Sequence, residues 1–446
     1  MGARPTSSMD TRMNTDEIAW PPSLWAAVTP PGAPLPTVEG ALQADVLVIG
    51  AGFTGLATAL NLRNAGEDVA IIEAMEPGWG ASGSNNGQVI PALSRVDPDE
   101  LVRRFGAAGE RFVGLIRDSA ALLFDTVREH GIASEAEQTG WIQPAHTPGR
   151  MKIAESRVRQ WSRWGAPVEL LSAQRMRELL GSDAWHGGWW NPTGGHINPL
   201  ALARGLAQVV IDKGVRIYVR SPALGYAREG GRWVVRTPKG VFSARALVLA
   251  SNAYTGEISP TLAPAVAREL VPAVSWQMAT QPLSEAARRS ILPGRQAMSD
   301  THGELYFCRY DARHRLVTGG ALIAPFDQTR RMKAMIGARL ARLFPQIGEV
   351  TFDYVWNGYI GMTPDYTPRF HRVGPDAYAW AGCNGRGVAL ALAAGRELAR
   401  AVRGAPDEEL AIPFTDPTPI PLQGLVRVFS PLMIFLNRYR DWRELR

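Results

Sequence analysis

The chain of 446 residues has only two cysteines, Cys308 and Cys383, and no apolar run near the ~18 residues that a membrane-spanning helix needs. Two separated cysteines make neither a disulfide framework nor a zinc site. The seven histidines fall into no metal-ligand spacing, so the sequence predicts no metal. Residues 1–17 lack the apolar core of a signal peptide and are predicted to be disordered. These absences favour a cytoplasmic protein.

Basic residues exceed acidic ones, but they form no block. The net charge is +6, and the many arginines are scattered along the chain. This distribution indicates an Arg-rich solvated surface rather than a nucleic-acid partner. Near the C-terminus, residues 425–436 form an apolar stretch that Arg427 and Pro431 interrupt. With several arginines behind it, this tail suits either peripheral contact with a membrane surface or packing on the protein or on a partner subunit.

The most informative segment is a complete nucleotide-binding βαβ unit at residues 45–73. A buried strand at residues 46–49 runs into Gly50, Gly52 and Gly55, and a helical pattern with apolar spacing follows. A second strand at residues 69–72 ends on Glu73, about 20 residues after the glycines, where an acid can bind ribose hydroxyls. The glycines permit the turn, the approach of a pyrophosphate and close helix–strand packing. The unit predicts dinucleotide binding, but alone it does not separate NAD from FAD.

Farther along, two kinds of pattern alternate. Residues 195–250 combine a helix that begins near Pro199 with strand-like runs, and glycines return at residues 382–387 before another helix. Residues 265–355 instead carry short β-like runs between turns, which is typical of an antiparallel layer packed on helices. The nucleotide-binding domain is therefore predicted to be assembled from separated segments.

Three segments together resemble one family. The βαβ unit, residues 78–88 and residues 382–388 are similar to the FAD-dependent amine and amino-acid oxidases of the D-amino-acid oxidase superfamily. Within it, the gamma-glutamylputrescine oxidases are most similar, with support from residues 195–199, 249–254 and 361–365. The resemblance covers roughly residues 40–405.

The resemblance implies an α/β (α+β) fold, with a Rossmann-like FAD-binding domain of the glutathione-reductase type and an antiparallel β-sheet substrate domain with helices. The predicted organisation is a FAD-binding domain at residues 18–100, 195–264 and 356–405, a substrate-binding domain at 101–194 and 265–355, and a C-terminal tail at 406–446. It also implies a set of FAD-binding residues: Gly50, Gly52, Phe53, Thr54, Gly55, Glu73, Ala74, Ser82, Gly87, Gln88, Ala223, Asn384, Gly385, Arg386, Gly387 and Val388.

Three departures from the family pattern concern the flavin end of the cofactor. Ser84 stands where these oxidases usually have arginine. Some relatives attach FAD to a cysteine in the turn that here is residues 311–315, which contain none, so noncovalent FAD is predicted. No lysine occurs between Lys239 and Lys333, the stretch from which some relatives place a lysine over the flavin to speed reaction with oxygen.

Substrate recognition is predicted from aromatic and polar side chains of the second domain, although each aromatic residue is also an ordinary core candidate. The candidates are Trp276, Gln277, Tyr306, Arg309, Trp356 and Tyr359. Aromatic side chains can cage an amine by cation–π contact, and Arg309 can hold a carboxylate. His196 precedes a helix and is interpreted as structural.

The resemblance implies flavin-dependent oxidation of a primary or secondary amine by hydride transfer from the carbon next to nitrogen, followed by hydrolysis of the imine. Oxygen is the expected acceptor, and no acid–base residue is assigned. The alternatives are an amino-acid dehydrogenase with another acceptor, an FAD-bound nucleic-acid-binding or modifying protein, and a catalytically silent FAD-binding subunit. The sequence leaves the amine and the oligomeric state open.

Overall fold

A computed structural model describes residues 19–324 and 326–445, so the N-terminal segment predicted to be disordered lies outside the described residues. The strands are β1 Gly40–Ile49, β2 Val69–Ile72, β3 Gln88–Val89, β4 Trp141–Pro144, β5 Glu169–Ser172, β6 Gly187–Asn191, β7 Gly195–His196, β8 Arg216–Tyr218, β9 Gly225–Glu229, β10 Arg232–Arg236, β11 Gly240–Leu249, β12 Val271–Thr280, β13 Ala297–Ser299, β14 Phe307–Tyr310, β15 Leu316–Gly320, β16 Phe352–Met362, β17 Arg369–Gly374 and β18 Ala377–Ala381. The α-helices are α1 Leu24–Val28, α2 Phe53–Asn64, α3 Ala81–Ser84, α4 Pro98–Phe105, α5 Ala107–Glu129, α6 Met151–Arg163, α7 Ala173–Leu180, α8 Pro199–Asp212, α9 Thr255–Ile258, α10 Pro264–Arg268, α11 Glu285–Ser290, α12 Gln328–Leu343, α13 Gly387–Val402 and α14 Gln423–Glu444.

The first sheet is a mainly parallel, doubly covered layer built from distant parts of the chain, with β17 antiparallel to β18 at one edge. Its strand order is β17-β18-β11-β1-β2-β8, and β10 and β9 extend from β11 as an antiparallel pair. β1 lies parallel between β11 and β2, and its last four residues, like all of β2, are buried. Such continuous apolar runs are typical of strands that are covered on both faces.

Helices α2 and α13 pack closely on this sheet. A Cβ at Gly395 of α13 would lie 2.7 Å from the Cβ of Ala57 in α2, so the contact requires glycine. α8 packs on the other flank of α2, and α5 packs on α13. The long α5, which the sequence grouped with the substrate-binding residues, thus contributes its buried face to the core of the first sheet.

The second sheet is antiparallel except at one pair. Its order is β16-β12-β15-β14-β13-β4-β6-β5, and only β13 and β4 run parallel. α7, α11 and α12 bury apolar side chains against it, including Met176, Ala287 and Ile336. The expected α/β fold with a parallel nucleotide-binding sheet and a mainly antiparallel second sheet is confirmed.

Most predicted elements agree with the structure to within a few residues. α4 and α5 follow each other directly and are separated at Gly106, which adopts φ +55° between them. β16 crosses the boundary drawn between residues 355 and 356 and carries the second sheet toward the first.

Two terminal elements complete the structure. In α1, Trp25 is fully buried and packs edge-on against Trp356. The lead-in segment, residues 19–39 before β1, is therefore attached to the second sheet. α14 packs against β12 of the second sheet. Throughout residues 19–324 and 326–445, no helix has the length and apolarity that crossing a membrane requires.

Candidate functional site

The turn between β1 and α2 is shaped by its glycines. Gly50 adopts φ +107°, and a Cβ at Gly55 would overlap the carbonyl oxygen of Gly50. A Cβ at Gly52 would lie 2.8 Å from Oγ of Ser82, whose hydroxyl accepts a hydrogen bond from the Phe53 amide at 3.0 Å. The turn therefore leaves a bare backbone surface at the N-terminus of α2, where the helix dipole favours an anion.

Glu73 lies at the end of β2 beside this turn. Its carboxylate accepts hydrogen bonds from the Ala51 amide at 2.7 Å and from the Met75 amide at 2.9 Å. Burial raises the pKa of Glu73, and these backbone donors act in the opposite direction. A carboxylate held by backbone at this position is oriented to accept hydrogen bonds from ligand hydroxyl groups.

The next loop brings residues 78–88 under the second sheet. Gln88 pairs β3 with β7, and its Nε2 donates to the Met298 carbonyl at 3.0 Å, while its Oε1 is buried without a partner among the described residues. Gly87 has φ +79°, and a Cβ there would overlap the Ile197 carbonyl and the Arg309 guanidinium. Gly87 thus acts through close packing, whereas Gln88 offers a free acceptor.

At the far end, residues 382–387 form a tight loop before α13. The Gly382 amide donates to Oδ1 of Asn252, and Oδ1 of Asn384 accepts from the Thr363 amide at 2.9 Å. Asn384 and Gly385 both adopt positive φ, of +49° and +75°. Two segments distant in sequence therefore hold the loop, and the N-terminus of α13 has no side-chain cap.

Arg386 is the most unusual side chain in this loop. It is 6% exposed, its guanidinium carbon lies 5.6 Å from the centre of the Trp141 ring, and its Nε and Nη2 have no partner among the described residues. Burial lowers the pKa of Arg386 to about 9, and the positive charge of Arg157 acts in the same direction. A buried, unneutralised guanidinium on a cleft wall is a site for an anionic group.

One cleft of about 1720 Å³ connects all these features with the second sheet. It runs past most of the predicted cofactor residues: Gly50, Gly52, Phe53, Thr54, Glu73, Ala74, Ser82, Gln88, Ala223, Asn384, Gly385, Arg386, Gly387 and Val388. Gly55 and Gly87 lie behind its wall, where they allow the close packing described above.

The substrate candidates divide into two groups. Trp276, Gln277 and Tyr359 line the cleft, and Oε1 of Gln277 is buried without a partner among the described residues while its Nε2 donates to Ser275 at 2.9 Å. Tyr306 is instead stacked on His302, with 3.9 Å between ring centres, and the guanidinium carbon of Arg339 lies 3.6 Å from the centre of the Tyr306 ring. Trp356 donates its indole N–H to the Ser84 carbonyl at 2.7 Å and is buried in the core.

Arg309 is also placed away from the cleft. It is 1% exposed and donates to three main-chain carbonyls, those of Asn86, Tyr310 and Ile197, at 2.7 to 2.8 Å. Because these contacts engage all three nitrogens of the guanidinium and the side chain is buried, the geometry of Arg309 does not suit the carboxylate clamp that the sequence suggested.

Ser84 and His196 both have structural contacts. Ser84 donates from Oγ to the Gly80 carbonyl at 3.0 Å, and a Cβ at Gly358 would lie only 2.6 Å from that Oγ. Ser84 also lines the cleft. His196 is buried and its Nε2 contacts the Arg295 carbonyl at 3.0 Å.

Several lining residues were not among the predicted site residues. Tyr254 packs edge-on against Tyr359, at 5.5 Å between ring centres, and burial raises its pKa to about 12. α14 supplies a further wall, with Leu425, Phe429 and Leu436. The aromatic ring in the family-like segment 249–254 was an available signal for Tyr254, whereas nothing in the local pattern placed α14 beside the cleft.

Comparison with known proteins supplies the deciding observation. A family model described as FAD dependent oxidoreductase matches residues 45–401. The chain belongs to this family. It is 32% identical over 384 residues to gamma-glutamylputrescine oxidoreductase of Escherichia coli (strain K12), covering 86% of this chain and 89% of that protein. It is 31% identical over 382 residues to the probable oxidoreductase OrdL of Haemophilus influenzae (strain ATCC 51907 / DSM 11121 / KW20 / Rd), covering 85% of this chain and 86% of that protein.

Solved structures agree in fold. Glycine oxidase from Geobacillus kaustophilus matches with a TM-score of 0.69 at 22% identity, over 81% of this chain and 95% of that one. L-amino acid deaminase from Proteus vulgaris, with its specific insertion sequence deleted, matches with a TM-score of 0.70 at 20% identity, over 89% of this chain and 97% of that one.

The cleft of this FAD-dependent oxidoreductase fits its cofactor. The glycine turn leaves space that a Cβ at Gly52 would fill, and buried, unpartnered polar atoms of Gln88 and Arg386 line the opposite end. The glycine turn and Glu73 suit the pyrophosphate and ribose, and the residues before α13 suit an electron-rich ring.

Proposed function

We propose that this FAD-dependent oxidoreductase oxidises a primary or secondary amine, either a gamma-glutamyl amine or an N-substituted amino acid, at the carbon next to nitrogen. The observation that carries the proposal is one cleft that joins the dinucleotide turn at Gly50 to the second sheet. Trp276 and Gln277 of β12 and Tyr359 of the neighbouring strand β16 line it there. The substrate class is also supported by the 32% identity to a gamma-glutamylputrescine oxidoreductase.

Bound FAD would supply the electron sink for a hydride from the substrate carbon. The protein would bind the substrate between aromatic side chains, which suit a cationic or neutral amine. Because Trp276 is buried and Tyr254 and Tyr359 are half-buried, these bulky side chains would lower the pKa of the bound amine by desolvation and favour its neutral form. Oε1 of Gln277, with its amide held by Ser275, would accept an N–H of that amine and orient the carbon.

We further propose that FAD is held without a covalent bond. Cys308 lies in β14, buried and away from the cleft, and burial raises the pKa of its thiol, so it is a poor nucleophile. The turn at residues 311–315 contains no cysteine and is tied together by Asp311, which accepts the amides of Arg313 and Arg315. Acid precipitation should release all of the flavin into the supernatant.

Oxygen is the proposed acceptor, and the reaction would proceed in the cytoplasm. A second candidate is an amino-acid dehydrogenase that uses another acceptor. The unpartnered guanidinium of Arg386 favours it, because that group can hold a carboxylate close to the reacting carbon. The stretch between Lys239 and Lys333 without lysine points the same way.

The test is an anaerobic screen of amines, observed as the fall in visible absorbance of the bound flavin. Gamma-glutamyl amines, polyamines and N-alkyl amino acids are compared with matched compounds that lack the carboxylate. Bleaching by members of these classes is expected, and no bleaching by any of them would reject the proposed substrate class. Rapid bleaching by plain amino acids with slow reoxidation in air would instead support the dehydrogenase.

A further inference from the structure

The C-terminal helix α14 exposes apolar side chains around most of its circumference. Most of the exposed large apolar residues of the described chain lie in or beside it, and among its own residues only Asp441 is buried. The exposed set includes Leu425, Val428, Phe429, Leu432, Met433, Phe435, Leu436 and Tyr439. A contiguous patch of this kind on a folded protein indicates a surface that is covered in use.

Several charged side chains of the same helix point toward the body of the protein. Arg427 binds Glu257, with its shortest contact at 2.5 Å, and Arg438 binds Glu304 at 2.6 Å. At the end of the helix, Asp441 accepts from the Gly303 amide at 2.9 Å. A usual surface helix turns its charges outward. In α14 charged side chains make the attachment, part of the apolar surface lines the cleft, and Phe435 and Tyr439 are exposed outside that lining.

The C-terminal end of α14 carries the outward charge. Arg443 is exposed there, whereas Arg440, also exposed, borders the cleft and lies 3.9 Å from Glu444. The acid Glu444 is drawn to Arg150 of the body at 2.6 Å, so the charge offered to the outside is positive. Arginines beside an aromatic ring and an apolar face are the combination that binds the headgroup region of an anionic bilayer.

We propose that α14 docks this protein on the surface of an anionic membrane, lying in the plane of the headgroups. Arg427 and the internal Pro431 interrupt its apolar sequence, which suits a helix that lies on a bilayer rather than through it. Because Leu425, Phe429 and Leu436 of the same helix line the cleft, docking brings the cleft wall to the membrane surface. The inference is independent of the proposed substrate.

The test uses the full-length holoenzyme and flotation with vesicles of phosphatidylcholine, either alone or mixed with phosphatidylglycerol. Binding to the mixed vesicles is expected, and it weakens as salt is added because part of it is electrostatic. The double variant Phe435→Ser/Tyr439→Ser should lower the partition coefficient at least about tenfold, since both side chains are exposed and lie outside the cleft lining. Arg443→Gln should reduce only the component that depends on phosphatidylglycerol.

The matched control is Leu170→Ser/Leu224→Ser, which removes two exposed apolar side chains far from α14 in sequence and should leave vesicle binding unchanged. Equal binding by the α14 variant and this control would overturn the proposal. Failure of the wild-type protein to bind either vesicle would do the same. If the wild type then forms a dimer that Phe435→Ser/Tyr439→Ser dissociates in sedimentation velocity, the surface belongs to a second copy of the chain.

Discussion

The guanidinium of Arg309 lies over the indole of Trp25, with its central carbon 4.6 Å from the ring centre. The two residues are far apart in sequence, and Trp25 also donates its indole N–H to the Asn85 carbonyl at 2.7 Å. Arg309 thus joins the lead-in segment, the loop before β3 and the second sheet. Although burial lowers the pKa of Arg309 to about 10, the surrounding carbonyls satisfy its donors.

Replacement of Arg309 is therefore expected to affect stability rather than substrate choice. Arg309→Met leaves buried carbonyls unpaired and should lower the free energy of unfolding by about 3 kcal/mol. Thermal unfolding measures the loss, and Arg313→Met at the exposed turn is the control. An unchanged melting temperature together with a KM that rises only for carboxylate-bearing substrates would return Arg309 to the role of a carboxylate clamp.

The contrast between the glycine turn and Arg309 shows which parts of the site the sequence could predict and which it could not. The glycine turn and Glu73 are specified by neighbours within 30 residues, so spacing alone predicted a dinucleotide site there. The carbonyls that occupy Arg309 belong to residues 86 and 197, and only the folded chain brings them together. The same limit applies to α14, whose place beside the cleft depends on ion pairs with Glu257 and Glu304.

Gly55 should tolerate no side chain. In Gly55→Ala the new Cβ overlaps the Gly50 carbonyl, which must move and widen the turn that faces the cofactor. We expect the purified variant to contain little FAD and to unfold at a lower temperature. Gly114→Ala in α5 is the matched control, because a Cβ there meets no atom within 4 Å and alanine favours the helix. Stoichiometric FAD in Gly55→Ala would show that the close approach is not required.

His146 should make the protein less stable in mild acid. Its ring stacks on His302 at 3.9 Å, and burial, reinforced by the charge of His302, lowers the pKa of His146 to about 4. The unfolded chain takes up this proton near pH 6.5. Between these two values the unfolded state binds more protons, so the free energy of unfolding falls as the pH falls through this window.

The measurement is chemical unfolding at several values between about pH 7.5 and about pH 4.5, which spans the range in which histidine titrates. His146→Gln should remove part of the pH dependence, whereas His186→Gln at an exposed position should preserve it. Parallel pH profiles for the wild type and His146→Gln would contradict the assignment.

Arg386 is expected to stabilise negative charge at the flavin end of the cleft. Its unpaired Nε and Nη2 are buried beside Trp141, where water screens a charge poorly. Arg386→Met should therefore lower the midpoint potential of the bound flavin by roughly 30 mV or more, since 30 mV corresponds to about 1.4 kcal/mol for a two-electron couple. Arg386→Lys keeps the charge and should preserve most of the potential, while both variants change the shape of the side chain.

Spectroelectrochemical titration of the three proteins measures the shift directly. An unchanged potential in Arg386→Met, combined with a KM that rises for amino acids but not for amines without a carboxylate, would assign the guanidinium to the substrate and favour the amino-acid dehydrogenase.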